Sequence, residues 1–173
     1  NFVITSDDAS SFNLTPGFNV TINRSQTTDF IVRIDDRDNV SAALEITENG
    51  TDSGKGVIQL STFGSNETFD ASPFLSTNTT GHIVRTRTNS DWCADTSKYK
   101  IGKNYWKGGV SGATCYATNV TDSIPFVMLG GLTNVLALPN GTVNFTRGST
   151  ISFKASVTDD CSVSATASST INF

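Results

Sequence analysis

Apolar residues recur at alternate positions along several short stretches of the chain. Phe30, Val32 and Ile34 fall on one face of their segment, and residues 151–157 show the same alternation. A period of two residues is typical of a half-buried strand. Turn-forming pairs such as Asn49–Gly50 separate the stretches, and no segment combines a helical period with helix caps. The pattern predicts an all-β chain of many short strands, which favours a β-sandwich.

The two clearest alternating stretches belong to an internal repeat. Residues 24–42 align without a gap with residues 147–165, at an offset of 123 residues. The matched pairs are Phe30 with Phe153, Ile34 with Val157, Asp36 with Asp159, and Val40 with Val163. Such self-similarity marks the start of equivalent structural units. We therefore expect a first unit at residues 12–128 and a second at residues 129–173.

The second copy consists of an Arg147–Ser149 turn, an alternating strand, and a corner at Val157–Val163. This succession resembles the opening of tandem immunoglobulin-like repeats in microbial surface proteins. The stretch Tyr99–Phe126 is similar to the closing part of such repeats. The resemblance implies an immunoglobulin-like β-sandwich with a role in an extracellular stalk, coat or filament. It brings no catalytic residues.

The second unit is too short to complete a sandwich by itself. Residues 129–173 number 45, whereas an immunoglobulin-like sandwich takes about 100. An open sheet with a bare apolar face is prone to aggregation unless something covers it. Either the chain is a piece of a longer repeat protein, or a neighbouring copy supplies the missing strand.

Residues 1–11 are the candidate donor of that strand. They begin with an apolar run that contains Phe2, Val3 and Ile4, followed by a polar stretch. Strand addition of this kind completes pilins, and head-to-tail contacts of one copy with the next generate open filaments. We therefore predict an incomplete second sandwich that is completed by another copy, in a homopolymer. The alternative is that residues 1–10 form an ordinary first strand of the first unit.

Asn-x-Ser/Thr sequons are far more frequent than chance allows. Ten of the fifteen Asn residues begin one, against about four expected from the Ser and Thr content. They are Asn13, Asn19, Asn23, Asn39, Asn49, Asn66, Asn78, Asn119, Asn140 and Asn144. Asn13 is the least favourable, because Pro16 follows its Thr. A glycan must point into solvent, so these positions are predicted to be exposed. The alternative is that Asn, Ser and Thr are simply common in turns.

The chain has three cysteines, Cys93, Cys115 and Cys161. An odd count in a secreted chain leaves one residue without a partner in the same chain. We predict a Cys93–Cys115 disulfide, which leaves Cys161 free or bonded to another chain; three reduced thiols are the alternative. Together with the sequons, a disulfide predicts an extracellular or cell-surface location.

Charge and hydropathy exclude several classes of partner. The net charge is −4, the pI is about 4.8, and the 12 basic residues form no patch with interleaved aromatics, so nucleic acid is not an expected partner. No apolar run reaches the roughly 20 residues that a membrane-spanning helix needs. The chain begins with Asn1 and is either a mature product or a fragment.

The residues needed for catalysis are missing from the sequence pattern. His82 is the sole histidine and no Gly-x-Ser-x-Gly motif exists, so a catalytic triad is not indicated and we expect no enzyme. No cofactor is expected. Asp35, Asp36 and Asp38 crowd one corner and offer oxygen atoms of the kind that calcium binds, although acidic residues at corners are also common turn formers.

An aromatic cluster is the best candidate for ligand binding. Both tryptophans and all three tyrosines lie within 25 residues, at Trp92, Tyr99, Tyr105, Trp106 and Tyr116. Such rings stack on sugars or anchor interfaces, or they pack onto their own sandwich. The sequence thus favours a structural subunit of a glycosylated extracellular filament. The alternative is a surface adhesion or carbohydrate-binding module from a longer repeat protein.

Overall fold

The computed structural model describes residues 2–6, 20–36, 55–113, 118–139, 141–142 and 144–164. In these ranges ten strands and one short helix are present, and the predicted all-β class is confirmed. The strands are β1 (Phe2–Ser6), β2 (Val20–Asn23), β3 (Thr28–Asp36), β4 (Gly56–Leu60), β5 (His82–Arg87), β6 (Gly102–Val110), β7 (Asn119–Val120), β8 (Ile124–Leu129), β9 (Leu132–Leu138) and β10 (Lys154–Asp159); the helix α1 is Asn89–Cys93.

The chain divides into two compact units, Asn1–Leu129 and Gly130–Phe173. Unit 1 contains β1 to β8 and α1, and unit 2 contains β9 and β10. The sequence placed the boundary between residues 128 and 129. The identity of both units as immunoglobulin-like repeats stays a prediction.

The first sheet of unit 1 has the order β1-β3-β5, with every pair antiparallel. The central strand β3 buries Phe30, Val32 and Ile34, because a strand directs alternate side chains to the same face. Ile34 is paired with Ile4 of β1. The first strand therefore lies beside β3 of its own chain, which is the arrangement expected of an ordinary first strand. Donation to another copy stays a prediction.

The second sheet has the order β2-β8-β6-β4, with β7 paired to the far end of β6. The β2–β8 pair is parallel, whereas β8–β6 and β6–β4 are antiparallel. Gly108 lies where β6 approaches the first sheet. A Cβ atom at this position would lie 2.5 Å from Cγ2 of Val32, so the close approach of the two sheets requires glycine here.

The core of unit 1 is centred on Phe30. Its ring centroid lies 5.4 Å from that of Trp106 and 5.6 Å from that of Phe126, both in edge-on geometry. These rings come from β3, β6 and β8, so they join the two sheets directly. Edge-to-face pairs of this kind add to the stabilisation that burial alone provides.

The helix α1 positions Trp92 in this core. Thr88 caps its first turn, with Thr88 N–H donating to Oδ2 of Asp91 at 2.7 Å and the Thr88 side chain accepting from the Asp91 N–H. The sequence pattern predicted no capped helix, although Thr88-Asn-Ser-Asp91 fits the capping-box pattern of a hydroxyl residue followed by an acid three positions later. The helix has five residues, too few to show a helical period.

Unit 2 contains an antiparallel pair, β9 and β10, with an irregular register between Lys154 and Ala155. The repeat places the counterpart of β3 at residues 151–159, but β10 begins only at Lys154. The two copies differ because β3 is paired along both edges, whereas the long edge pairing of β10 is with β9 alone among the described residues. Asn144 and Phe145, which alternate like a strand, also lie outside any strand.

Candidate assembly surface

All seven residues of β9 are exposed. Leu132 is 64% exposed, Leu136 61% and Val135 53%. Alternate residues of a strand point to opposite faces, so Leu132 and Leu136 lie on one face and Val135 on the other. Both faces of this strand therefore present apolar side chains to solvent.

The rest of unit 2 exposes further apolar side chains. Besides those of β9 just named, they are Leu138, Phe145, Ile151, Phe153 and Val163. An isolated two-stranded hairpin is at best marginally stable, and contiguous exposed apolar surface marks interaction sites. We call β9, β10 and these apolar residues the open hairpin.

The two copies of the repeat use the same residue in opposite ways. Phe30 is 1% exposed in the core of unit 1, whereas its counterpart Phe153 is 40% exposed. Val163, the counterpart of Val40 in the repeat, is 50% exposed. Val40 itself lies outside the described residues. A position that is buried in the core of unit 1 is therefore partly exposed in unit 2.

Five of the ten sequons lie in the described part of the chain, and each of their Asn residues is exposed: Asn23, Asn66, Asn78, Asn119 and Asn144. The other five, Asn13, Asn19, Asn39, Asn49 and Asn140, lie outside the described residues. In β2, Val20 and Ile22 turn inward while Asn23 turns outward, so one short strand contributes to the core and presents a sequon.

Two sequons share the same local hydrogen bonding. Oδ1 of Asn78 accepts hydrogen bonds from Thr80 N–H at 3.0 Å, Thr80 Oγ1 at 2.7 Å and His82 N–H at 2.9 Å. Oδ1 of Asn23 accepts from Ser25 N–H at 3.1 Å and Ser25 Oγ at 2.8 Å. The carbonyl end of each side chain is thereby held by the hydroxyl residue of its own sequon. The opposite end is the amide nitrogen, to which a glycan is attached.

The aromatic cluster is largely internal. Trp92 and Trp106 are fully buried, and Tyr99 is 6% exposed. Tyr105 is half-buried, and Tyr116 lies outside the described residues. The two tryptophans and Tyr99 pack within their own unit, which was the alternative to ligand binding. They offer no ring face to a sugar in solvent.

A buried ion pair, which the sequence did not reveal, connects four segments of unit 1. Nη2 of Arg85 lies 2.6 Å from Oδ2 of Asp70, and Nη1 lies 2.9 Å from Oδ1. Leu60 N–H and Tyr99 O–H also donate to this carboxylate, at 2.8 and 2.7 Å. Both oxygens of Asp70 are thus occupied by donors, which fits a structural role. One feature of the sequence could have indicated this ion pair. Arg85 and Ile83 are two positions apart on β5, so both side chains point to the buried face of the strand.

The surroundings of this pair shift two pKa values. Burial raises the pKa of Asp70, but the hydrogen bonds from Arg85, Leu60 and Tyr99 outweigh it and hold the pKa below the usual 3.8. Burial, and then the hydrogen bond to Asp70, raise the pKa of Tyr99 to about 12. Asp70 is therefore a carboxylate and Tyr99 a neutral phenol at any ordinary pH.

The acidic corners give no support to calcium binding. Asp35 and Asp36 are the last residues of β3, and only their backbone belongs to the described part of the chain. Asp38 lies outside the described residues. At the matching corner, Oδ1 of Asp159 accepts hydrogen bonds from the N–H groups of Cys161 at 3.0 Å and Val163 at 2.8 Å. This is the geometry of a turn-forming aspartate. A calcium site at either corner stays a prediction.

Cys93 and Cys161 are both disulfide-bonded. Cys161 is therefore not a free thiol. Cys115 lies outside the described residues. Three cysteines can form one disulfide within a chain, so the predicted Cys93–Cys115 pairing requires that the oxidised Cys161 be bonded to another chain. Disulfides persist in oxidising compartments, which is compatible with an extracellular protein.

Comparisons with protein families, curated proteins and solved structures found no match to this chain. In the described part of the chain no helix is long and apolar enough to cross a membrane. The function is therefore argued from the exposed apolar surface, the sequons and the strand pairing.

Proposed function

We propose that this protein is a structural subunit of an N-glycosylated extracellular filament, assembled head-to-tail by β-strand donation. Residues 1–11 of one copy supply a strand to the second unit, residues 129–173, of the next copy. Both units are immunoglobulin-like, the first a full β-sandwich and the second one that another copy completes. Neither catalysis nor a cofactor enters this proposal.

The exposed apolar surface of the open hairpin carries the proposal. Leu132, Leu136 and Phe153 are residues of core type, yet each is at least 40% exposed. Covering such side chains is the main favourable term in association. An added strand along β9 would pair its main-chain groups and cover apolar side chains beside it. A second copy of the chain carries a segment suited to this, the apolar run at residues 2–4.

The exposed sequons support the extracellular, glycosylated part of the proposal. Glycans on unit 1 would limit contacts between copies there, while unit 2 has an exposed sequon of its own at Asn144, next to Phe145. The sequons of the described part of unit 1, at Asn23, Asn66, Asn78 and Asn119, are all exposed. Glycans are bulky and solubilising, so they would suppress association elsewhere on unit 1.

Electron microscopy of the native material, together with a truncated subunit, tests the filament. Removal of residues 1–8 should abolish filaments, while Thr5→Ser, which keeps strand and length, should assemble like the unmodified chain. Filaments formed by the truncated subunit would refute donation by this segment.

Glycosylation is tested at Asn78, where the sequon offers a matched pair of substitutions. Thr80→Ala removes the hydroxyl that bonds Asn78 Oδ1 and should remove the glycan. Thr79→Ala alters the middle residue of the same sequon and should keep it. Glycopeptide mass spectrometry reads out both variants, and an unmodified Asn78 in the parent chain would contradict the assignment.

The competing function is a surface adhesion or carbohydrate-binding module. Its best ligand platform, the aromatic cluster, is mostly buried, with Trp92 and Trp106 inside the core. Binding of an isolated monomer to a glycan array, with no filaments in native material, would favour that function instead.

A further inference from the structure

The edge of β3 is already occupied by the segment that the proposed filament would donate. β1 pairs with β3 in register over five residues, from Phe2 opposite Asp36 to Ser6 opposite Val32. β1 is the outermost strand of its sheet, so its other edge is open among the described strands. One strand thus has two potential partners, the β3 edge of its own chain and the open hairpin of another copy.

β3 does not depend on β1 for its place in the fold. Its other edge is paired with β5 from Thr28 opposite Arg87 to Arg33 opposite His82. Its inward face is held by the ring of Phe30 against Trp106 and Phe126. Departure of β1 would open one row of main-chain groups on β3 and leave both of these attachments in place.

The chain between β1 and β2 is long enough to allow departure. Residues 7–19 comprise thirteen residues, which can span at most about 45 Å when extended. Strand exchange between identical copies through such a connection is a common route to assembly. While β1 remains attached to its own chain, it also competes for the β3 edge at an effective concentration on the order of millimolar.

We infer that the free subunit is self-capped: β1 covers the edge of β3 in its own chain and has to leave that edge before it is donated to another copy. The inference rests on the proposed function and adds a release step to it. With β1 in place, β3 is paired along both of its edges, and the first sheet ends at β1 itself. Assembly is then slow to start and faster once a growing end offers the strand a new partner.

A disulfide across β1 and β3 tests the release step. Thr5 is the register partner of Arg33, and opposed Cα atoms of antiparallel strands lie about 4.5–5.5 Å apart, within the range that a disulfide spans. The variant Thr5→Cys/Arg33→Cys, oxidised as a monomer and verified by non-reducing peptide mapping, should form no filaments. Mild reduction should restore assembly. The single variants Thr5→Cys and Arg33→Cys, given the same oxidation and reduction, control for effects on the native cysteines.

The outcomes separate this inference from the filament itself. Filaments built from verified, internally cross-linked subunits would overturn the release step and leave the filament proposal standing. If the unmodified chain forms no filaments under any condition, the filament proposal fails and the release step fails with it. If oxidation of assembled double-variant filaments links position 5 of one copy to position 33 of the next, release is supported. That result would also move the acceptor from the open hairpin to the β3 edge of the neighbour.

Discussion

The sharpest test of the assembly surface is the double substitution Leu132→Ser/Leu136→Ser on β9. The two residues are four positions apart, so they lie on the same face of the strand. Leu132 is 64% exposed and Leu136 is 61% exposed. Their side chains touch little within unit 2, so the substitutions should not disturb the free subunit. They remove the apolar surface that a second copy would cover.

The expected effect follows from the exposed area that assembly would bury. Full burial of a leucine side chain contributes about 1.5–3 kcal/mol, and roughly 0.6 of each side chain remains to be covered. The pair then contributes about 2–4 kcal/mol to each contact between copies. At 1.4 kcal/mol per tenfold change, the critical concentration for assembly should rise by about 30-fold to several hundred-fold.

Sedimentation of polymer across a concentration series measures this quantity. Phe74→Ser is the matched control, because Phe74 is 66% exposed and belongs to unit 1, not to the hairpin; the critical concentration of this variant should equal that of the unmodified chain. Trp92 and Trp106, the two tryptophans of the chain, report by fluorescence that unit 1 stays folded. Assembly of the double variant at the unmodified critical concentration would show that this face of β9 stays uncovered in the polymer.

Four further outcomes follow from the buried ion pair, Tyr99 and the cysteines. Asp70→Ala leaves a buried guanidinium without its charged partner and should lower the free energy of unfolding by about 3–5 kcal/mol, read by urea titration. Glu67→Ala, at an exposed site, is the control and should change it by less than about 0.5 kcal/mol. Because the pKa of Asp70 is lowered, the contribution of its carboxylate to the free energy of unfolding is fully present above pH 3.8. This contribution should fade as the pH falls through the lowered pKa, and the Asp70→Asn variant should not show the trend. The pKa of Tyr99 is raised to about 12. The contribution of its neutral phenol to the free energy of unfolding is therefore complete below pH 10 and should be lost as the pH rises through about 12. Ultraviolet absorbance follows the ionisation, and the Tyr99→Phe variant should lack the trend. Without reduction, a thiol reagent should leave Cys93 and Cys161 unlabelled, and labelling of either would contradict their oxidised state.

Periodicity was sufficient to find one strand at the centre of the core. The alternation at Phe30, Val32 and Ile34 predicted β3, and all three side chains are buried there. The same alternation failed in the second copy, where Ile151 and Phe153 precede β10. A period of two residues shows which side chains share a face, but a strand also needs a partner along its edge. That partner is a long-range property that the local pattern does not contain.

The buried polar network was beyond sequence reasoning for a similar reason. Asp70 and Arg85 meet across a separation of 15 residues, in a chain with many acids and bases. The aromatic cluster was visible as a group, but its burial was not, because Trp and Tyr serve equally in cores and at binding surfaces. The five-residue helix α1 places Trp92 in the core. Its cap at Thr88 can be recognised in the sequence, but five residues are too few to show a helical period.

The parallel pairing of β2 and β8 bears on how unit 1 responds to mechanical load. These are the first and last strands of the second sheet along the chain, and Val20 to Asn23 pair with Phe126 to Leu129 in the same direction. Tension applied before β2 and after β8 therefore pulls the two strands lengthwise past each other. Their evenly spaced hydrogen bonds share that load together instead of opening one after another, as they would if the strands were peeled apart. The β2–β8 pair thus resists a pull between these two points in shear.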